Sequence, residues 1–416
     1  MAQYNFEGDF ENINERQLEF INKVIQEQDL KVTKVVFSPV GQAGDNFVAN
    51  VKRITIEGEN GSLKMVVKIA SAFEMLRQMT NTEIMFKNEI TMYTEVLPKL
   101  VQLQQAAGIP KEDQLKYAKC YGCLNEVPNE LVILEDLKEL DFTMLNKFES
   151  LSNASVRSVL KNFASIHSAS YALKKKEPET FDLFKNKLIN IWTVIGSNQE
   201  MMASMVKFEE EILKVFDDIT LASLLKNKLV NAFKMAVSFS KTTDKNSVIQ
   251  QGDAWTNNIM FKVSGEDSVQ SIMIDYQASK ADNPVLDLLY MIFNCTDHET
   301  RSKNYYDWID YYHSELDNYL SNFGMKVNFV YPRDQLDADL KRYGNYIFGL
   351  CLMLANVLMR DTHEASKLME AQKNSTLDEL MDSMKMEDMV DATMIRFKKR
   401  VIGLVDSFTE FGLLRI

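Results

Sequence analysis

The sequence predicts an α+β protein in two parts, a small N-terminal part built on an antiparallel sheet and a larger part that is mainly helical. Between residues 31 and 70, apolar side chains alternate with polar ones at the spacing of half-buried strands. From about residue 138 onward, apolar side chains instead recur at the spacing of helices. A chain of 416 residues is long enough for two or three folding units, which fits a two-lobed enzyme.

Composition and charge limit the classes of function. An apolar fraction of 46% and a charged fraction of 25% are those of an ordinary globular protein with a core. The net charge of −12 argues against nucleic acid or an anionic membrane surface as the main partner. The N-terminus is polar and acidic and no apolar run reaches about 18 residues, so we expect neither a signal peptide nor a membrane span. A cytoplasmic location is therefore expected.

The four cysteines do not show the spacing of a disulfide framework. Cys120 and Cys123 form a Cys-x-x-Cys pair, but no second pair follows at the spacing of a zinc site. We expect buried or incidental thiols in a reducing compartment, with redox chemistry or metal binding as the alternative.

The N-terminal part begins with an amphipathic helix over residues 11–29, followed by a pair of strands over residues 31–57. The loop between these strands contains Gly41 and Gly44. Glycines let backbone amides approach phosphate oxygens closely, although two glycines in a hairpin also suit an ordinary turn.

A lysine and a glutamate lie in apolar surroundings. Residues 63–70 alternate as a strand in which Lys68 shares a face with small apolar side chains. Residues 82–97 follow a helical pattern that places Glu89 among apolar neighbours and is expected to end at Pro98. Because a carboxylate there is costly unless it is paired, we expect an ion pair between Lys68 and Glu89. The alternatives are a lysine that reaches solvent and a glutamate at the boundary of the helix with solvent.

Residues 131–137 form a short apolar run that ends in acidic residues, which we interpret as the last strand of the N-terminal part and a hinge. Beyond this hinge, residues 178–245 predict two or three helices. His167 lies late in a helix and Asp287 lies near a helix start, and we expect both to have structural roles.

Three polar side chains lie close together among apolar runs. Asp253 and Asn258 are five residues apart in a short loop, and Asp275 ends the next apolar run. A turn at Gly265 predicts a hairpin that brings Asn258 and Asp275 together. This set suits phosphoryl transfer from a magnesium nucleotide, because one carboxylate accepts or orients a hydroxyl proton while an amide and a second carboxylate hold the metal.

These residues also carry a resemblance. The segment Gln-Gly-Asp-x-Trp-x-x-Asn, from Gln251 to Asn258, and the segment Ile-Asp-Tyr-Gln around Asp275 are similar to a motif pair of the insect ecdysteroid-kinase-like family. That family is a branch of the choline-kinase and aminoglycoside-phosphotransferase superfamily, which has a protein-kinase-like fold. The matching landmarks run in the same order from Gly41 to Tyr290.

The resemblance implies a bilobal protein-kinase-like fold, with an N-lobe over residues 1–136 and a C-lobe over residues 137–416. It also implies a kinase that uses ATP and Mg²⁺ to phosphorylate a hydroxyl of an ecdysteroid-like or other hydroxylated small molecule. Asp253 is then the catalytic residue, and Asn258 and Asp275 are the metal ligands. The residues expected at the nucleotide are Gly41, Gly44, Lys68, Glu89, Glu135, Asp136 and Leu137.

Gln251 departs from the family pattern, because the family has histidine at this position. Glutamine still donates and accepts hydrogen bonds, so retuned activity is one interpretation and an inactive nucleotide-binding protein is another. Choline, an aminoglycoside or a xenobiotic alcohol would fit the same motifs, and a cationic acceptor predicts carboxylates around the acceptor pocket. A protein kinase is disfavoured, because no Asp-Phe-Gly or Ala-Pro-Glu segment follows. The sequence leaves the acceptor pocket and the oligomeric state open.

Overall fold

A six-stranded sheet forms the N-terminal part of the protein. The computed structural model describes residues 4–41, 49–242, 244–265, 268–367, 386 and 389–414. The strands of this sheet are β1 (Phe6–Gly8), β2 (Val32–Pro39), β3 (Ala49–Gly58), β4 (Gly61–Ala70), β5 (Cys120–Leu124) and β6 (Leu131–Glu135). Their order is β1-β2-β3-β4-β6-β5, and every neighbouring pair except the parallel β1 and β2 is antiparallel. The predicted antiparallel-rich sheet is confirmed, whereas the three-residue β1 was not predicted.

β4 lies in the middle of this sheet, with β3 on one side and β6 on the other. On one face of β4, Val67 and Ile69 are buried in a cluster with α1 (Glu15–Gln26), the amphipathic helix predicted near the N-terminus. Because side chains alternate along a strand, Lys68 lies on the opposite face. After β4 the chain enters α2 (Glu74–Thr80).

The next helical segment changes its hydrogen-bond pattern along its length. It consists of α3 (Thr82–Thr91), a π-helical turn (Met92–Val96) and α4 (Leu97–Ala106). The prediction that Pro98 ends the helix is therefore wrong. Pro98 lies in the first turn of α4, where a missing N–H is tolerated, and the π-helical turn before it lets the helix continue.

The rest of the chain is mainly helical, as predicted. Its helices are α5 (Asn153–Lys176), α6 (Pro178–Lys187), α7 (Ile191–Ser197), α8 (Gln199–Lys214), α9 (Ile219–Leu225), α10 (Lys228–Ser240), α11 (Val285–Cys295), α12 (His298–Asn322), α13 (Val327–Val330), α14 (Arg333–Met359) and α15 (Asp391–Glu410). The described residues of the segment 178–245 contain five of them rather than two or three. The side chains of Asn190, Asn198 and Asp218 cap α7, α8 and α9, so short polar residues divide the apolar pattern into more helices.

Five short strands position the polar residues of the helical part. They are β7 (Thr143–Met144), β8 (Val248–Ile249), β9 (Ile259–Val263), β10 (Val269–Met273) and β11 (Ala281–Asp282). β9 and β10 form the predicted hairpin, and β8 pairs with β11. Asp253 therefore lies between β8 and β9, Asn258 directly precedes β9, and Asp275 closely follows β10.

Two large apolar clusters and a smaller one around Leu137 and Met260 hold these elements together. One large cluster joins the sheet to α1, and the second fills the helical part and includes Phe86 and Ile90 of α3. α3 is therefore packed with the helices rather than with the α1 side of the sheet. The predicted fold class, a small antiparallel sheet beside a larger helical part, is confirmed. No helix in the described ranges has the combination of length and apolar character that crossing a membrane requires.

Candidate active site

Lys68 forms ion pairs with two carboxylates that come from distant parts of the chain. Its Nζ lies 2.7 Å from Oε2 of Glu89 on α3 and 2.7 Å from Oδ1 of Asp275. The same Nζ donates a longer hydrogen bond, of 3.3 Å, to Oε1 of Gln277. Glu89 is only 1% exposed, which agrees with its place on an apolar stripe of the helix. The expected pair of Lys68 and Glu89 is present, and Asp275 makes it a group of three charges.

Burial and the carboxylates have opposite effects on this lysine. Burial lowers the pKa of Lys68, but Asp275 and Glu89 together outweigh this effect, so its pKa is raised. Burial raises the pKa of Glu89 to about 7, against the attraction of Lys68. Lys68 is therefore a cation at neutral pH, and it joins the sheet to both α3 and the helical part.

Asp253 accepts hydrogen bonds at both carboxylate oxygens. The hydroxyl of Tyr290 on α11 donates to Oδ1 at 2.5 Å, and Nδ2 of Asn258 donates to Oδ2 at 2.9 Å. Burial raises the pKa of Asp253 to about 7, although the hydrogen bond from Tyr290 acts to lower it. A carboxyl group with this pKa is suited to take up a proton near neutral pH.

Gln251 connects the loop of Asp253 to the segment of Asp275. Its Nε2 donates to the backbone carbonyls of Ile274 at 2.9 Å and Asp275 at 3.0 Å. Its Oε1 accepts the backbone N–H of Asp253 at 2.6 Å. One side-chain amide thus makes all three hydrogen bonds between the Asp253 loop and the Asp275 segment. The loop therefore stays attached to this segment although glutamine replaces the family's histidine.

Asp287 holds the same loop from its other side. Its carboxylate accepts the backbone N–H groups of Gln251 at 3.0 Å and Gly252 at 2.9 Å, and it lies 3.2 Å from Nε2 of His167. Gly252 has a φ of +85°, and a Cβ there would lie 2.2 Å from the carbonyl oxygen of Ala278, so the position requires glycine. His167 and Asp287 therefore position the loop, as expected.

Asn258 and Asp275 offer oxygen ligands that suit Mg²⁺. The N–H of Ile274 donates to the carbonyl of Asn258 at 2.9 Å, which keeps their two segments together. Nδ2 of Asn258 donates hydrogen bonds to Asp253, so Oδ1 of Asn258 is available to a metal. Oδ1 of Asp275 binds Lys68, so Oδ2 of Asp275 is available as well. The described residues contain no cluster of three or more His, Cys, Asp or Glu side chains that would form an all-protein metal site. An amide and a carboxylate suffice for Mg²⁺ that is shared with phosphate oxygens.

The hinge residues use their side chains within the protein. β6 ends at Glu135, and a 3₁₀ turn (Leu137–Leu140) follows. The carboxylate of Asp136 accepts from Nε of Arg53 at 2.5 Å and from the N–H of Lys138 at 3.2 Å. The carboxylate of Glu135 accepts the backbone N–H of Lys119, the residue before β5, at 3.2 Å. Contact with an adenine at this hinge would therefore involve backbone groups or the side chain of Leu137.

The glycine loop follows β2. Gly41 has a φ of +77°, a conformation that glycine adopts without strain. Gly44 lies outside the described residues, so its expected place at the phosphates stays a prediction.

All four cysteines are free thiols. Cys120 and Cys123 lie on β5 with their Sγ atoms 3.3 Å apart, and Cys295 and Cys351 are buried in the helical part. The Cys-x-x-Cys pair is thus a thiol pair next to the hinge strand β6.

Two residues at the site were not predicted from the sequence. Tyr290 is part of an entirely buried helix, where its ring is indistinguishable from other apolar residues. Asn88 binds both the N–H and the carbonyl of Ile189 at 2.9 Å and the carbonyl of Gln277 at 3.0 Å. A signal for both existed, because a buried tyrosine hydroxyl or amide needs a partner.

The sheet with its lysine, the buried glutamate of α3 and the Asp-Asn-Asp set of the helical part define a protein of the kinase-like class. The chain belongs to the ecdysteroid kinase-like family, whose profile matches residues 43–325. The protein-kinase-like fold expected from the sequence is thereby confirmed.

Solved structures also resemble the chain. A GDP complex of a mutant aminoglycoside 2′-phosphotransferase-IIIa has 12% identity and a TM-score of 0.46, over 93% of this chain and 99% of that chain. An ethanolamine kinase of Plasmodium vivax has 12% identity and a TM-score of 0.44, over 94% and 89% of the two chains. A GDP and kanamycin complex of an aminoglycoside phosphotransferase has 11% identity and a TM-score of 0.45, over 94% and 99%. A comparison with curated proteins finds no match.

Proposed function

We propose that this protein is a kinase that transfers the γ-phosphate of ATP to a hydroxyl group of a small molecule. The observation that carries the proposal is the position of Lys68, whose Nζ bridges Glu89 and Asp275 at 2.7 Å each. A cation that is held between two carboxylates from separate segments of the chain is placed to bind the phosphates of a nucleotide. Family membership supports a polyhydroxylated, ecdysteroid-like molecule as the acceptor.

In this proposal Asp253 receives or orients the proton of the acceptor hydroxyl. Its carboxylate is held by Tyr290 and Asn258, and Gln251 fastens its backbone to the segment of Asp275. The attacking oxygen therefore meets a base whose position is set by partly buried hydrogen bonds.

Asn258 and Asp275 would hold Mg²⁺, which neutralises phosphate charge when bound. Lys68, kept protonated by its carboxylates, holds the phosphates on the other side. The hinge residues Glu135 to Leu137 would bind adenine through backbone groups, and Gly41 and Gly44 would lie over the phosphates. The proposed boundary between an N-lobe and a C-lobe is at residues 136 and 137.

An inactive, nucleotide-binding protein is the second candidate, because Gln251 replaces the family's histidine. The three hydrogen bonds of Gln251 favour activity, since they maintain the junction between the two acidic segments. Choline, aminoglycosides and xenobiotic alcohols are alternative acceptors. Neither nucleic acid nor a membrane is a proposed partner, and a cytoplasmic setting is proposed on the free cysteines.

ATP consumption and phosphate transfer by the purified chain, across steroids, amino alcohols and phenols, test the proposal. Asp253→Asn should lower kcat by about a thousandfold, while the Kd for Mg-ATP stays near that of the unmodified chain. Asp141→Asn is a matched control, because Asp141 is 81% exposed in a surface ion pair with Lys262. Undiminished transfer by Asp253→Asn would remove Asp253 from the reaction, and ATP binding without transfer to any acceptor would favour the inactive protein.

A further inference from the structure

Two thiols lie side by side on β5 because the strand contains a bulge. Side chains alternate along a regular strand, so Cys120 and Cys123, three positions apart, would point to opposite faces of the sheet. Cys120 pairs with Leu134 of β6, whereas Gly122 pairs with the next residue of β6, so Tyr121 is an extra residue in β5. Both thiols consequently pack against the apolar cluster of the helical part, while Tyr121 packs against the cluster that contains α1.

The two sulfur atoms are in direct contact and within reach of solvent. The Sγ atoms of Cys120 and Cys123 are 3.3 Å apart, and both residues are only half-buried. β5 is also the last strand in the order of the sheet. Cys295 and Cys351, in contrast, are buried in the helical part. Small side-chain rotations therefore suffice to join Cys120 and Cys123 in a disulfide.

The thiols of this pair differ in acidity. The pKa of Cys120 is lowered, because the hydrogen bond from Cys123 stabilises its thiolate more than burial and the charge of Glu89 disfavour it. The pKa of Cys123 is raised, because its proton is held in the hydrogen bond to Cys120 and burial adds to this effect. Burial raises the pKa of Cys295 and of Cys351 to about 12. Cys120 is therefore the nucleophile among the four thiols, and Cys123 is its neighbouring partner.

The thiol pair is one residue away from a direct connection to the hinge. The carbonyl oxygen of Lys119, the residue before Cys120, accepts the backbone N–H of Glu135 at 2.8 Å. The N–H of Lys119 donates to the carboxylate of Glu135 at 3.2 Å. Glu135 is the first of the hinge residues proposed to lie at the adenine. A change in the conformation of the bulge therefore reaches the hinge through two hydrogen bonds.

We propose that Cys120 and Cys123 are a modification site, at which a peroxide converts the two thiols to a reversible disulfide that weakens nucleotide binding at the hinge. The disulfide itself follows from the contact between the sulfurs, and only its effect on the nucleotide rests on the proposed kinase function. Closing the bond shifts Cys120 toward Cys123, which displaces Lys119 from the position in which it holds Glu135. In a reducing compartment such a bond is transient and reports the presence of an oxidant.

The reaction balances with hydrogen peroxide as the oxidant. The thiolate sulfur of Cys120 attacks one peroxide oxygen and the O–O bond breaks. The hydroxide that leaves takes up the proton released by Cys120, which gives water and a sulfenic acid. Sγ of Cys123 then attacks Sγ of Cys120, the S–O bond breaks, and the second hydroxide leaves as water with the proton of Cys123. Two electrons pass from the thiols to the peroxide, and a dithiol reductant reverses the change.

Mass spectrometry of the purified full chain after treatment with hydrogen peroxide tests the modification. The peptide that contains both cysteines should lose two hydrogen atoms, and dithiothreitol should restore them. Cys123→Ser should stop at the sulfenic acid, which dimedone traps at Cys120, whereas Cys120→Ser should leave Cys123 unmodified. Oxidation of Cys295 or Cys351 in place of this pair, equal trapping by dimedone in the two variants, or no disulfide in the chain without substitutions would overturn the proposal.

Calorimetry with Mg-ATP on the reduced and the oxidised chain tests the link to the hinge. We expect the Kd of the oxidised chain to be at least about threefold higher, and reduction should restore it. Cys120→Ser is the matched control, because its Kd should be the same before and after peroxide. A disulfide that leaves the Kd unchanged, or an equal rise of the Kd in Cys120→Ser, would overturn the effect on the nucleotide. Absence of nucleotide binding in the reduced chain would instead refute the kinase function, and the mass of the oxidised peptide would still decide whether the disulfide forms.

Discussion

The hydroxyl of Tyr290 donates a hydrogen bond of 2.5 Å to Oδ1 of Asp253. Tyr290 is 3% exposed, so this contact lies in a poorly solvated environment. Hydrogen bonds to an ionised group are short and strong, and they favour the charged form. Tyr290 is therefore a positioning residue that also offsets part of the effect of burial on the pKa of Asp253.

The pH dependence of kcat/KM should reveal this relationship. The pKa of Asp253 is raised to about 7, and the proposed reaction needs the carboxylate, so activity should rise with pH through that range. Tyr290→Phe removes a bond that lowers this pKa, so the rise should move upward by about one pH unit or more. Tyr305→Phe is the control, because the hydroxyl of Tyr305 is buried and has no hydrogen-bond partner among the described residues. An unshifted profile in Tyr290→Phe would contradict the assignment of the titration to Asp253.

Replacing Glu89 should weaken binding of the nucleotide more than binding of the acceptor. Glu89→Gln removes one of the two charges that hold Lys68, so we expect the KM for ATP to rise about tenfold or more. The KM for the acceptor should change little. Glu83→Gln, an exposed change on the same helix, should leave both constants as they are. Equal KM values for ATP in the two variants would show that the ion pair has no role at the phosphates.

Gln251 should be needed for both stability and turnover. Gln251→Ala leaves the partly buried carbonyls of Ile274 and Asp275 without this donor, so the free energy of unfolding should fall by about 1 to 2 kcal/mol. Gln270→Ala, an exposed change on β10, should have no comparable effect on thermal unfolding. Gln251→His restores the family residue, whose ring offers one donor and one acceptor, and should retain activity. Activity that is absent in the unmodified chain and present in Gln251→His would identify the natural protein as inactive.

The Mg²⁺ dependence of phosphate transfer should depend on the carboxylate of Asp275. Asp275→Asn removes the carboxylate proposed as a ligand, so the Mg²⁺ concentration for half-maximal transfer should rise about tenfold or more. Removal of divalent cations by chelation should abolish transfer in the unmodified chain. Asp307→Asn changes a largely exposed carboxylate and should keep the original Mg²⁺ response. A Mg²⁺ response that is the same in Asp275→Asn and in the unmodified chain would exclude this ligand.

The ion pair of Lys68 and Glu89 could be predicted from the sequence for a physical reason. Lys68 and Glu89 each interrupt an apolar face of a regular element, and a buried charge needs an opposite one. Asp253, Asn258 and Asp275 were accessible because their spacing places them around a hairpin. In both cases a pattern within one short segment requires a partner from another segment of the chain.

Other features depend on contacts that no local pattern records. A tyrosine in an apolar helix, such as Tyr290, has the same spacing whether its hydroxyl binds water or a carboxylate. Asp136 was expected at the nucleotide only as a hinge residue, and the partner of its carboxylate, Arg53, comes from β3, which the sequence of the hinge does not reveal. The end of the helix at Pro98 and the number of helices in residues 178–245 were predicted wrongly. Both depend on hydrogen bonds, those of a π-helical turn and of side-chain caps, that the apolar pattern does not show.

The anchoring of Asn88 has a kinetic consequence. Its three hydrogen bonds attach α3 to Ile189 and Gln277 in the helical part, while Glu89, the next residue, is paired with Lys68 of the sheet. If the cleft opens, either α3 moves with the sheet and the Asn88 bonds break, or α3 stays behind and the ion pair breaks. Both routes separate buried polar groups, so the departure of the spent nucleotide is expected to be a slow step of each catalytic cycle.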